Sequence, residues 1–139
     1  MNNIEIMGVL NITDNSFHDG GKYNSFKGSF QHAKEMIQED ADIIDIGAES
    51  SKPGADPVSS KDQIKKIEPV VDAIREVSDI PISIDTRSSD VIKKLTKYKI
   101  NIVNDISSLQ DIELISVIKE NNLTAVSYTH LTLPTSSGG

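Results

Sequence analysis

Cysteine is missing from all 139 residues. Its absence removes disulfides, thiolate nucleophiles and any zinc site built on sulfur, leaving carboxylate, imidazole, amide or water as metal ligands. Long apolar runs are missing too. No stretch approaches the roughly 18 residues that a membrane-spanning helix needs, and the opening MNNIEIMGVL has neither a basic start nor an apolar run of secretory length. The expectation is a cytoplasmic protein without a membrane partner. Basic residues are in short supply: 14 Lys and Arg against 21 Asp and Glu give a net charge of −7. The lysines are scattered along helical stretches and form no block, so no nucleic-acid partner is expected. The glycine-rich nucleotide fingerprints GxGxxG and GxxxxGK[ST] do not occur.

What is present suits a soluble globular chain of one domain at most, with 37% hydrophobic and 25% charged residues. Short runs rich in isoleucine and valine recur at Ile4 to Leu10, Ile43 to Ile46, Ile80 to Ile84, Ile100 to Val103 and Leu123 to Val126. They are nearly continuous and scarcely alternate, as strands of a parallel sheet do. Helical spacing lies between them: Phe26, Phe30, Ala33, Met36 and Ile37; Ile64, Ile67, Val70, Val71 and Ile74; Val91, Ile92 and Leu95; Ile112, Ile115 and Ile118. Ser59 with Asp62, Ser88 or Ser89, and Asp111 are candidate N-caps. Pro69 falls inside the second helical pattern and predicts a kink or two shorter helices.

Strand and helix therefore alternate, which predicts an α/β fold of right-handed parallel crossovers, either an open doubly wound sheet or part of an eight-stranded barrel. The barrel gains from the strand ends. Asn11, Asp45, Asp85, and Asn104 with Asp105 close four successive strands, and in a barrel such ends ring one mouth. A complete barrel takes about 250 residues, so the chain predicts parallel (β/α) repeats forming the first half of a TIM barrel, incomplete. Short acids and amides with few cations around one mouth suit a neutral, nitrogen-rich ring whose N–H groups need acceptors. The loop SSKPGA, residues 50 to 55, offers hydroxyls, a lysine and a Pro-Gly turn to an anion. Taken singly, each feature has a plainer explanation: a strand-end aspartate often caps a helix, and Ser, Pro and Gly are ordinary loop residues.

The stretches MGVLNITDNSFHDGG, DIIDIGAESSKPGA, ISIDTRSSDVI and IVNDISSL, in this order, resemble the successive signatures of the dihydropteroate synthases, within the pterin-binding TIM-barrel family. The resemblance covers residues 4 to 126. It implies folate biosynthesis: condensation of 6-hydroxymethyl-7,8-dihydropterin diphosphate with 4-aminobenzoate to give 7,8-dihydropteroate and pyrophosphate, assisted by Mg2+. It implies Asp85 and Asn104 at the pterin, Asn11 and Ser51 at the diphosphate, Asn11 at the metal, and Phe17, Ser51, Lys52 and Pro53 around the aminobenzoate, where sulfonamides compete. Asp45 is a supporting residue beneath the loops, and no protein nucleophile is required. Gly20 and Gly21 would let the first loop close. The parent protein would be a homodimer.

Against the family pattern, Asp14 stands where proline is usual and Asn15 where aspartate is, and Lys52 replaces an arginine, trading a planar fork for a point charge. His18, His32 and His130 are assigned no metal role. Residues 1–126 read as the partial pterin-binding barrel. The run SYTHLTLPTSSGG, 127–139, has no Asp, Glu, Lys or Arg and breaks the strand–helix rhythm, so it reads as a non-native tail or a disordered terminus. Two alternatives accompany the synthase: a pterin-dependent methyltransferase domain, which the SSKPG loop disfavours, and a truncated fragment without catalysis.

Overall fold

The computed structural model describes residues 4–12, 26–49, 54, 56–105 and 111–127. Five strands, β1 (Met7–Asn11), β2 (Ile43–Gly47), β3 (Ile82–Asp85), β4 (Ile102–Asp105) and β5 (Thr124–Ser127), alternate with four helices, α1 (Phe26–Gln38), α2 (Ser60–Val77), α3 (Ser89–Leu95) and α4 (Ile112–Glu120). All neighbouring strands pair in parallel and lie in sequence order across one sheet. A doubly wound sheet reverses its strand order at a switch point. This one never reverses, and each helix packs on the next, α1 on α2, α2 on α3 and α3 on α4. That is the arrangement of a partial barrel, with the helices forming an outer layer.

Register and alternation divide the side chains between two faces. Leu10, Ile44, Ile46, Ile82, Ile84 and Val103 point to the helices, and there join Ala33, Ile67, Val70, Val71, Ile74, Val91, Ile92, Leu95, Leu114 and Val117 in one buried core. A side chain on Gly8 would run into Met36 of α1, which places that face of β1 against the helix. The opposite, inner face is closed only at its centre. Val9 is 62% exposed there, and Met7 beside it is partly exposed.

The strands lie later than the apolar runs predict. Ile4 and Ile6 precede β1 and are exposed, while β3 and β4 begin two residues after Ile80 and Ile100 and run on to Asp85 and Asp105. The polar residues belong to the ladder itself, because backbone pairing continues regardless of side-chain polarity. Pro69 neither splits nor ends α2, which is a single helix of 18 residues. The proline removes one backbone bond, the one that would reach Lys65. Its exposed position leaves that turn open to solvent, while Ile67, Val70, Val71 and Ile74 hold the helix to the sheet.

The helix starts follow the expected caps: the side chains of Ser59, Ser88 and Asp111 accept from the backbone N–H groups of Asp62, Val91 and Glu113. Helices α1 and α4 end in paired reverse bonds, Asp40 N–H to Ile37 and Ala41 N–H to Met36, then Asn122 N–H to Lys119 and Leu123 N–H to Ile118. Asp40 and Asn122 take the left-handed conformation these endings require.

At the foot of the sheet, Arg75 in the last turn of α2 makes five hydrogen bonds. Its guanidinium donates to the carbonyls of Tyr98 (2.7 Å), Ile80 (2.7 Å), Lys99 (3.0 Å) and Ser78 (3.3 Å) and to Asn101 Oδ1 (3.3 Å). Asn101 Oδ1 also accepts from the Ile82 N–H at 3.0 Å, so the clamp reaches the start of β3. Arg75→Ala is expected to lower unfolding free energy by about 2–4 kcal/mol, since several charge-assisted bonds are lost together. Arg75→Lys should recover less than half of this, because an ammonium cannot span the same acceptors; urea denaturation of the three proteins checks both.

Candidate functional site

The strand register assembles a row of residues at the carboxyl ends of the strands. Asn11 pairs with Gly47, Gly47 with Asp85, Asp85 with Asn104, and Asn104 with Val126. In a parallel sheet such partners face the same way, so Asn11, Asp85 and Asn104 share the inner face at one level. Asp45 lies two residues lower, in the row Val9, Asp45, Ser83, Ile102. It is mid-strand in β2, whose actual end is Gly47. Asp45, which the sequence pattern put at the end of the second strand, is therefore a floor beneath the others, and Asp105 alternates to the helix side, where it is fully buried.

Gly47 leaves a gap in the row. A Cβ there would lie 3.1 Å from Asp85 Cβ and 3.3 Å from both the Asp85 carbonyl oxygen and Oδ2. The bare backbone lets Asp85 sit against β2 and keeps open the space between Asn11 and Asp85.

Beneath the row, Ser83 Oγ donates to Asp45 Oδ1 at 2.7 Å, and Asn104 Nδ2 makes two long contacts of 3.4 Å to the Asp45 oxygens. Strands β2 and β4 are separated by β3, so their Cα atoms are on the order of 9–10 Å apart. Their side chains meet because the sheet curves and its inner-face groups converge. Asn104 Oδ1 is buried and has no hydrogen-bond partner among the described residues.

Burial pushes the Asp45 carboxyl above the ordinary aspartate range, opposed in part by its bonds from Ser83 and Asn104. Asp85 rises further, from 3.8 to about 6, through burial first and then the neighbouring acids Asp45, Glu49 and Asp105. The mouth is thus electronegative, and the group at its centre gives up its proton near neutrality.

A second set of bonds fixes the loops around the row. Glu49 Oε2 accepts from the Val58 N–H at 3.1 Å, tying the start of the β2–α2 loop to its end. Thr86 Oγ1 donates to Gln63 Oε1 at 2.8 Å and accepts from the Ser88 N–H, while Gln63 Nε2 donates to the Val58 carbonyl. Sequence reasoning missed Ser83, Gly47, Glu49, Gln63 and Thr86. Ser83 had a signal, a hydroxyl in the otherwise apolar ISI. Gly47 is the last residue of β2, and the others are ordinary loop or helix residues until the fold brings them together.

Phe17, Ser51, Lys52 and Pro53 lie outside the described residues, as do Gly20 and Gly21. Among the described residues, no three His, Cys, Asp or Glu side chains are grouped to hold a metal. Asn11, exposed at the end of β1, offers one neutral amide oxygen. Magnesium keeps several waters and is commonly held by few protein groups plus substrate phosphates. These residues fit an ion that arrives with a diphosphate, and they form no cage of their own. A cavity of about 180 Å³ lined by Lys34, Ile37, Gln38, Val77 and Ser78 lies at the opposite end, between the last turns of α1 and α2.

Residues 7–136 match a family described as pterin binding enzyme. The chain belongs to that family. Dihydropteroate synthase of Bacillus subtilis is 43% identical over 122 residues, which cover 87% of this chain and 43% of the relative. The pterin-binding fold is equally plain in solved structures. Clostridium difficile dihydropteroate synthase, determined in the presence of pteroic acid, aligns with a TM-score of 0.80 at 41% identity, covering 87% of this chain and 46% of that one. The Yersinia pestis enzyme with a sulfonamide drug aligns at 0.79 and 36% identity, covering 88% and 45%. The chain spans less than half the length of each. No helix among the described residues is long and apolar enough to cross a membrane.

Two outcomes follow from the Asp85 environment. Its carboxyl holds in the folded chain a proton that the unfolded chain releases near 3.8, so its ionisation opposes folding and its contribution to stability falls as pH rises from about 4 to about 6. Asp85→Asn should flatten that part of the profile and raise Tm relative to the unchanged chain above pH 6, as thermal melts between pH 4 and 8 would record. Gly47→Ala should keep the sheet paired, cost about 1 kcal/mol and raise the Asp85 midpoint further, because the added methyl lies 3.3 Å from Oδ2 and buries the carboxyl more deeply. Side-chain carboxyl NMR titration reads that shift.

Proposed function

We propose that the parent protein is a dihydropteroate synthase and that this chain supplies the amino-terminal part of its pterin pocket. The observation that carries the reading is the inner-face row of Asn11, Gly47, Asp85 and Asn104, with a buried amide oxygen that has no partner. A flat ring rich in N–H groups meets that need, and the gap at Gly47 gives it room. The kinship with synthases solved with pteroic acid and with a sulfonamide supports the same ligand.

Asp85, ionised above about pH 6, would accept N–H bonds from the pterin, and Asn104 Oδ1 would accept another. Asn11 and Ser51 would meet the diphosphate, and Phe17, Ser51, Lys52 and Pro53 the aminobenzoate, while Asp45 supports the pterin residues from below. Breaking the methylene C–O bond sends its electron pair to pyrophosphate, and the aniline nitrogen forms the new C–N bond, losing a proton. No side chain becomes covalently linked. The protein's part is to hold the electrophilic carbon and the nitrogen in line and to receive the developing negative charge. Magnesium, when bound with Asn11 as one ligand, supplies charge neutralisation on the diphosphate.

On this reading residues 1–126 are the partial barrel, 127–139 a tail whose first residue completes β5, and the parent a cytoplasmic homodimer. The 139-residue chain by itself is expected to give no turnover. Extended by the remaining barrel half, it should form dihydropteroate and pyrophosphate from the two substrates, and Asp85→Ala or Asn104→Ala should lower kcat/KM by about a hundredfold or more. An extended protein that folds, binds no pterin and makes no product would overturn the reading.

A further inference from the structure

Three side chains from three strands form a chain of bonds whose outer end is left open. Ser83 and Asp45 occupy neighbouring strands at the same level, 0% and 4% exposed, and Asn104 reaches them from β4 at 6% exposure. The hydroxyl of Ser83 has one strong use, donation to Asp45 Oδ1 at 2.7 Å. Asp45 then faces Asn104 with both oxygens about equally distant, at 3.4 Å.

A carboxamide can be turned over, exchanging oxygen for nitrogen, and a neutral cavity accepts either orientation. A buried carboxylate does not. An amide oxygen 3.4 Å from both carboxylate oxygens would be an acceptor among acceptors, so Asp45 selects Nδ2 on its own side. Oδ1 is thereby forced away from Asp45, and it is the atom without a partner.

We propose that Ser83 and Asp45 are positioning residues: they lock the Asn104 carboxamide with its oxygen toward the inner face, so the pocket demands an N–H donor at that point. Neither residue needs to touch the ligand. The proposal rests on the functional reading above in one respect, that the donor expected there is a pterin N–H. The orientation itself stands on the relay alone.

The relay predicts a swap. Asn104→Asp sets two carboxylates face to face, whereas Asp45→Asn together with Asn104→Asp restores one donor and one acceptor between the positions and still leaves a carboxylate oxygen facing the pocket. In the chain extended by the remaining barrel half, Asn104→Asp should weaken binding of 6-hydroxymethylpterin by about a hundredfold and lower the urea midpoint, and the double variant should return to within about threefold of the unchanged protein. Ser83→Ala should weaken binding about five- to tenfold, with rescue by Ser83→Thr. Both Ser83→Ala and Asp45→Asn should make the Asn104 side-chain amide signals exchange-broadened in NMR, a change that loss of packing alone would not produce. A double variant no better than Asn104→Asp, or Asn104 amide signals indifferent to Ser83 and Asp45, would overturn the relay. If the unchanged extended protein ignores the pterin probe while the stability cycle and the amide signals behave as described, the pterin reading fails and the relay stands. The mild Ser83 pair gives the answer if Asn104→Asp does not fold.

Discussion

The register that pairs Gly47 with Asp85, and Asp85 with Asn104, governs the inner face of the sheet. Side chains alternate with a period of two, so a slip of one residue in β3 would turn Ser83 and Asp85 into the helix layer and bring Ile82 and Ile84 to the mouth. The isoleucines prevent it. They are fully buried in the core shared with the helices, and removing any of them from that layer while burying a carboxylate in its place would cost several kcal/mol. The apolar core thus does more than hold the fold: it decides which way the acids face.

That arrangement brings acids together against their mutual repulsion. Asp45, Glu49 and Asp105 all raise the Asp85 carboxyl, and Asp45 is met by neutral donors, the Ser83 hydroxyl and the Asn104 amide. Neutral donors stabilise a buried carboxylate without cancelling its charge. The field remains available to a ligand with several N–H groups, which is what a pterin offers and a phosphate does not. A diphosphate needs the other kind of surroundings, and the candidates proposed for it, Ser51 and Lys52, come after β2 in the chain.

Much of this was legible in the sequence because it depended on local rules. Isoleucine-rich runs and intervening helical spacing gave the order of elements, and the caps at Ser59, Ser88 and Asp111 sit where serine and aspartate precede apolar periodicity. The barrel was preferred to an open sheet from the polar strand ends, and the strand order, which no local pattern contains, bears that out. Strand limits were read too early because hydrophobicity was taken as the strand, whereas pairing carries on through Asp85 and through Asn104 to Asp105. Pro69 misled for a related reason: intrinsic propensity penalises it, but four buried residues around it anchor α2. Asp45 was recognised as a site residue, yet its level, one step below the row, and its partner Ser83 depend on register between strands 38 residues apart. The importance of Gly47 is invisible in one dimension, since what matters is the side chain it lacks opposite Asp85.

The Arg75 clamp at the other end of the sheet has a different character from the mouth. Four of its five acceptors are main-chain carbonyls, belonging to Ser78, Ile80, Tyr98 and Lys99. A joint of this kind recognises the path of the backbone and is blind to the side chains hung on it. The clamp itself therefore sets only the backbone path at 78, 80, 98 and 99 and leaves their identities to other contacts, such as the Ser78 Oγ that accepts from the Ile80 N–H and the Tyr98 Oη that donates to Glu68. Its own shape rests on the guanidinium at 75 and the amide at 101.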